Sequence, residues 1–121
     1  MSLLDASALD NFVAADPTGP VVMLNLVKFA PGGAAKYTEY INRFSSSGIK
    51  QRYGVTIVYG GAGHPSLVAG QDGDWDLVAL FQYPSRRHFV DMVNDPDYAS
   101  FEHLRSEAVA TAVLQPTTPA L

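Results

Sequence analysis

The sequence predicts a single α+β domain in which one antiparallel sheet carries helices on one of its faces. Three observations lead there. β-Branched and aromatic runs alternate with stretches of helical periodicity in the order strand, helix, strand, strand, helix pair, strand, behind a leading helix. The strands are apolar on both of their alternating faces. Prolines and glycines punctuate the joins.

Leu4, Leu9, Phe12 and Val13 recur at helical intervals, and the stretch stops at Asp16-Pro17-Thr18-Gly19-Pro20, where two prolines and a glycine cannot continue a helix. Val21 to Phe29 then has strand composition, with Val21, Met23, Val27 and Phe29 on one face and Val22, Leu24 and Leu26 on the other. Tyr37, Tyr40, Ile41 and Phe44, spaced i, i+3, i+4 and i+7, make one face of an amphipathic helix that Ser47-Gly48 ends. Val55, Ile57 and Tyr59 alternate with Thr56 and Val58 in a second strand, and the glycines Gly60 to Gly63 suggest a bulge or bend.

Ser66 to Ala69 reads as a possible short strand and Gly70 to Asp74 as a turn. Asp76 to Tyr83 is the next strand. Pro84 and Ser85 end it and offer a helix cap, after which Phe89, Met92 and Val93 form a helical face. Asn94-Asp95-Pro96 restarts the helix, with Asp95 as cap and Pro96 in the first turn. Tyr98, Phe101, Leu104 and Ala108 line this second segment. Ala110 to Leu114 is a last strand. The domain is thus expected to span 1–121, with 1–19 a leading helix and turn and 116–121 a tail.

That order is the ferredoxin-like split βαβ arrangement. Helices on one side leave the second apolar face of the sheet bare, and an exposed patch of that size is rare in a monomer. Burial against a second copy, pairing two sheets as a dimeric α/β barrel, is the simplest remedy.

Composition narrows the function. Eight basic residues against twelve acidic give a net charge of −4 and a pI near 5.1, the wrong sign for a groove that tracks phosphates, so nucleic acid is not an expected partner. With no cysteine, disulfides, thiolate nucleophiles and sulfur-ligated metals are excluded. The three histidines, His64, His88 and His103, lack the i, i+4 spacing of a helical metal pair, and neither metal nor cofactor is expected. Asp5 and Asp10 interrupt what would be a secretory signal, and Val21 to Val27 is too short to span a bilayer. A cytoplasmic protein with no membrane contact is the expectation.

Several motifs fail on inspection. Asp72-Gly73-Asp74-Trp75-Asp76 starts like a calcium loop, but Leu77 stands at the glycine position and Tyr83 at that of the bidentate Glu. Gly61-Ala62-Gly63 lacks the third glycine of a dinucleotide fingerprint, and no Gly-x-Ser-x-Gly elbow occurs.

The residues that remain are few. Asn25 is an uncharged polar residue in the most apolar strand, and an amide buried there needs a partner, either a structural one or a ligand. Arg105 follows Tyr98 by seven residues and Phe101 by four, which places it within the apolar face. It pairs there with Glu102 on the helix surface, or sits at a pocket mouth and grips a carboxylate or phenolate. His103 falls about 200 degrees from Phe101 and is expected to face solvent. Tyr37, Tyr40, Tyr59, Tyr83 and Tyr98, with Trp75, are either core or the polar-tipped lining of a pocket for a small hydrophobic or aromatic molecule.

Three phrases together resemble domain-of-unknown-function family 1330, in the dimeric α/β-barrel superfamily. They are Val22-Met23-Leu24-Asn25-Leu26-Val27-Lys28-Phe29, Gly73-Asp74-Trp75-Asp76 leading to Tyr83-Pro84-Ser85, and Asp95-Pro96-Asp97-Tyr98 through Arg105. The resemblance covers about Pro20 to Pro116 and implies a homodimer with a pocket in each subunit between sheet and helices. It implies no reaction for the family itself. The wider superfamily includes cofactor-independent monooxygenases, haem-degrading monooxygenases and isomerases, and in some of these an Asn at a comparable place on a strand contacts substrate. The expected function is therefore a cofactor-independent monooxygenase or isomerase, with Asn25 and Arg105 as catalytic residues. The alternatives are a non-catalytic ligand-binding or stress-associated homodimer and, third, a haem-degrading monooxygenase, which the orientation of His103 disfavours.

Overall fold

The computed structural model describes residues 4–68, 70 and 73–121. The leading helix α1 spans Ala6–Ala15, capped by the Asp5 carboxylate, which accepts from the Ser7 amide at 2.9 Å. Strand β1 is Val21–Phe29. Helix α2 is Gly33–Ser46, and a one-turn helix α3, Ile49–Arg52, follows it. Strands β2, Thr56–Ala62, and β3, Leu77–Tyr83, lead to α4, Arg86–Val93, α5, Pro96–Ala99, and α6, Glu102–Ala108. Strand β4, Val109–Thr117, closes the fold.

The sheet order is β2-β3-β1-β4, with every adjacent pair antiparallel. β1 and β2 therefore run parallel with β3 between them, which is the ferredoxin-like split βαβ topology. β1 alternates: Val21, Met23, Asn25 and Val27 are buried, while Val22, Leu24 and Leu26 are half-buried. The helices lie on the first row, where Phe44 of α2 packs on Phe81 and Phe89 of α4 meets Tyr83 edge-on at 5.1 Å. The second row, continued by Val78, Leu80 and Val113, stays half-buried. No helix among the described residues is long and apolar enough to cross a membrane.

The structure departs from the sequence expectations in four places. The helix after Asp95 is two pieces: Phe101 leaves helical geometry at φ −130°, and the Ser100 hydroxyl donates back to the Asp97 carbonyl at 2.6 Å, competing with the helix. The stretch after Gly48 forms α3, because Ile49 is fully buried and a turn closes between Gly48 and Gly54, both at positive φ. β4 runs on through Pro116 to Thr117, since on an edge strand a missing N–H is tolerated, and the Thr117 hydroxyl donates to the Val22 carbonyl at 2.7 Å. Leu67 and Val68 form a bend, beside which Ser66 and Asp74 exchange backbone-to-side-chain hydrogen bonds, where the sequence suggested a strand from Ser66 to Ala69. Ala69 lies outside the described residues, as do Gln71 and Asp72 of the expected turn and rejected calcium loop.

The join between α4 and α5 is pinned electrostatically. The Asp95 carboxylate, 10% exposed, caps α5 by accepting from the Asp97 amide at 2.8 Å, and accepts also from the Tyr53 hydroxyl and, at 2.8 Å, from Arg52. These donors, Tyr53 first, hold its pKa below the ordinary value of about 4. A carboxylate lowered in this way stabilises the fold fully above its unfolded pKa and loses that contribution as pH falls through the lowered value. Denaturant unfolding of Asp95→Asn beside the native protein should therefore show a stability gap at pH 7 that narrows toward pH 3. An equal gap at both values would contradict this account.

Candidate functional site

The site is set by how closely α2 approaches α6. Gly33 opens α2 directly against Ala108, the last residue of α6, and a Cβ at Gly33 would lie 2.1 Å from the Ala108 carbonyl oxygen. Only glycine permits that contact. One turn further along α2 is Tyr37, and about one turn back along α6 is Arg105, so the close approach brings these two side chains together. Lys36 and Glu107 join the same helices on the exposed side at 2.9 Å.

Beneath the helices a cavity of about 290 Å³ opens toward the sheet. Its walls include Asn25 from β1, Tyr83 from β3, Tyr37 and Tyr40 from α2, Tyr98 from α5 and Arg105 from α6. Six of the eight residues singled out from sequence thus meet at one place. Asn25 is 7% exposed and its amide donates to the Met23 carbonyl at 3.3 Å. That bond is to backbone. Across the cavity the hydroxyls of Tyr40 and Tyr98 lie 3.0 Å apart, tying α2 to α5 through a buried hydrogen bond.

Burial raises the pKa of all four phenols above the usual tyrosine value, and the Arg105 guanidinium pulls each of them back in part. The tyrosines are therefore neutral throughout the physiological range and can donate. Arg105 is half-buried, and no carboxylate among the described residues lies within 4 Å of it. The expected pair with Glu102 is not formed, although Glu102 stands on the wall of the same cavity. The arrangement is a cation and several neutral donors over an apolar floor, which can hold an oxyanion on a flat or hydrophobic body.

Tyr59 and Trp75 lie elsewhere. The pairing of β2 slips between Ile57 and Tyr59, so Tyr59 faces Leu80 on the other side of the sheet and is 55% exposed. Trp75 precedes β3 and stacks under the Lys28 ammonium, 5.0 Å from the ring centre. His103 is exposed and is not on the cavity wall, and no cluster of three or more His, Asp or Glu able to hold a metal occurs among the described residues. Leu4, Phe89, Met92, Glu102 and Leu114 also line the cavity. The apolar ones read in sequence as ordinary core. Glu102 carried a signal in being one helical turn from Arg105.

No family model and no curated protein matches the chain. Among solved structures, the RPA0582 protein of Rhodopseudomonas palustris, a protein of unknown function, is 32% identical, covering 98% of this chain and 95% of its own, with a TM-score of 0.83. The chain belongs to the RPA0582 family. The likeness extends through α1, which the resemblance read from sequence left out. A Bacteroides thetaiotaomicron protein provisionally named an antibiotic biosynthesis monooxygenase is 16% identical over 85% of this chain and 91% of its own, with a TM-score of 0.61. A dimeric Bacteroides fragilis protein of unknown function with a ferredoxin-like fold is 10% identical over 82% of this chain and 95% of its own, with a TM-score of 0.54. At these identities the last two show that the RPA0582 family shares their fold.

The Tyr40–Tyr98 pair carries a quantitative expectation. Tyr40→Phe or Tyr98→Phe each strands one buried hydroxyl and should cost about 1 to 3 kcal/mol. The double variant should cost less than the sum of the singles, with a coupling above about 0.5 kcal/mol by denaturant unfolding. Strict additivity would show that the hydroxyls do not depend on one another.

Proposed function

We propose that the protein is a small-molecule enzyme, acting without a bound cofactor on an acidic or phenolic aromatic substrate, of the monooxygenase or isomerase kind. The observation that carries this is Arg105, a guanidinium on the cavity wall among neutral phenols with no carboxylate partner. Both reaction kinds begin alike, with a proton leaving the substrate and the resulting oxyanion held by charge-assisted hydrogen bonds. Glu102, on the same wall, is placed to take that proton. In an isomerisation the proton returns at another carbon. In a monooxygenation the phenolate takes up dioxygen and yields a quinone and water, with the substrate supplying all four electrons. Asn25 offers an amide beside the developing charge, and the tyrosines orient the ring. A non-catalytic binding protein is the second reading, favoured by one of the two Asn25 N–H donors being engaged by the Met23 carbonyl.

The sequence phrases quoted above support membership of domain-of-unknown-function family 1330, and the absence of cysteine supports a cytoplasmic location. A homodimer belongs to the same proposal. It rests on the half-buried apolar row Val22, Leu24, Leu26, Val78, Leu80 and Val113, and on the dimeric state named for the Bacteroides fragilis protein of the same fold.

Titration calorimetry with 1-hydroxy-2-naphthoate tests the site. Arg105→Ala should weaken binding by about 1.5 to 3 kcal/mol with the fold intact. Asn25→Ala should impair any turnover more than it impairs binding. Unchanged affinity in folded Arg105→Ala would remove the oxyanion role. For the assembly, sedimentation equilibrium at micromolar concentration should give twice the 13.0 kDa chain mass, and Leu24→Glu should return it to one chain. A native protein sedimenting at the mass of a single chain would leave the apolar row without its proposed cover.

A further inference from the structure

A second cavity, of about 370 Å³, lies between α2 and the β2–β3 side of the sheet. Phe29, Ile41, Ile57 and Leu77 wall it, with Ala79 and Gly60 on its floor. Its polar side chains, Thr38 and Asn42, are on exposed positions of α2. Tyr37 and Phe81 line this cavity and the first one alike, so the two chambers share a wall two side chains wide. Their floors are continuous as well. Asn25 in the first is paired across β1 and β3 with Ala79 in the second, and Ala79 is paired in turn with Gly60.

Two residues with little or no side chain therefore sit side by side on the helix-facing row, where alternation would ordinarily place core-filling groups. The space is real at Gly60, where an added Cβ would meet nothing within 4 Å. By size, the first cavity alone sits at the lower edge of the range of about 300 to 1,000 Å³ typical for small-molecule sites. It suits a ring with one acidic group and little more.

We propose that both chambers take one amphipathic ligand, whose acidic head meets Arg105 and whose apolar tail runs past Tyr37 and Phe81 into the space over Ala79 and Gly60. This rests on the oxyanion reading of the first cavity and names the substrate class as an aryl acid or phenol carrying an apolar extension. The tail's path runs between Phe81 and Tyr37, whose ring packs on Phe29 and Tyr40.

The test is calorimetric titration of benzoate, 4-butylbenzoate and 4-hexylbenzoate into the native protein, Gly60→Leu and Thr38→Phe. Circular dichroism selects whichever variant is folded, and Thr38, an exposed helix position, serves if Gly60→Leu is not. In the native protein the affinity should rise about fourfold for each added methylene. In a filled variant benzoate should bind as before, while 4-hexylbenzoate should lose at least tenfold relative to the native protein. An alkyl gain that survives both substitutions would mean the tail runs elsewhere and would overturn the inference. Failure of benzoate and its alkyl derivatives to bind the native protein at all would overturn the reading of the first cavity, and this inference with it. Benzoate binding with no gain from the tail would overturn the inference alone.

Discussion

The register of β1 is the constraint on which the rest of the molecule depends. β1 is hydrogen-bonded along both edges, to β3 and β4, and that register sets Asn25 between Ala79 and Leu114. Side chains alternate with a period of two, so a slip of one residue would turn Met23, Asn25 and Val27 out from under the helices and bring Leu24 and Leu26 in. The far end of the strand is anchored against such a slip. The Phe29 amide donates to the Asp76 carboxylate at 2.8 Å, and the β1–β4 pairing is broken by an irregularity at Lys28 and Phe29 that fits only one alignment. With the floor fixed, the contact of Gly33 with Ala108 fixes the roof, and the cavity is what remains between them.

How much of this the sequence discloses depends on whether the governing contact is local. The bounds of β1 and the buried face of α2 follow from periodicity, and Asp95 and Pro96 mark their helix start by side-chain chemistry that needs no distant partner. The gathering of Arg105 with Tyr37, Tyr40 and Tyr98 follows too, because each sits on a predictable helix face in the split βαβ order, whereas β1 is apolar on both faces and the side Asn25 takes is decided only by where the helices come to lie. Tyr59 is lost to a bulge one residue ahead of the glycines that hinted at it. A single unpaired residue reverses every later side chain of the strand, and nothing in the alternation of Val55, Ile57 and Tyr59 marks the spot. The gap between α5 and α6 has no proline or glycine, only a serine bonding back to the chain, so periodicity ran through it undisturbed.

The apolar row opposite the helices and the polar-tipped cavity beneath them answer different demands. The row asks only for a complementary apolar surface and carries no chemistry, and the sheet that bears it belongs to a fold shared by proteins only 10 to 16% identical to this chain. The cavity's tyrosines belong to the core as well, yet their hydroxyls are not needed to fill it: Phe would occupy the places of Tyr37 and Tyr83 with less to solvate. The Tyr40 and Tyr98 hydroxyls satisfy each other and need no ligand for their presence to make sense. Arg105, by contrast, has no carboxylate partner among the described residues, and it is the part of the wall that the proposed occupant would meet.

Arg105 also sets what that occupant must bring. The chain forms ion pairs where it needs them on the surface, as between Arg43 and Glu39 or Arg52 and Asp97, and Glu102 is one turn from Arg105 on the same helix, yet the two do not pair. The guanidinium instead acts on the phenols around it, lowering their pKa values against a burial that raises them. For each of them burial wins, because the rigid helices and strand hold their oxygens where the cation only partly offsets desolvation. In the proposed complex a substrate oxygen offsets that desolvation by direct bidentate contact with the guanidinium, where the charge-assisted bond is strongest. The proposed ligand would then place its acidic oxygen at the α6 wall and leave its apolar remainder to the sheet, so the contact that stabilises the anion would also fix the orientation of the ring.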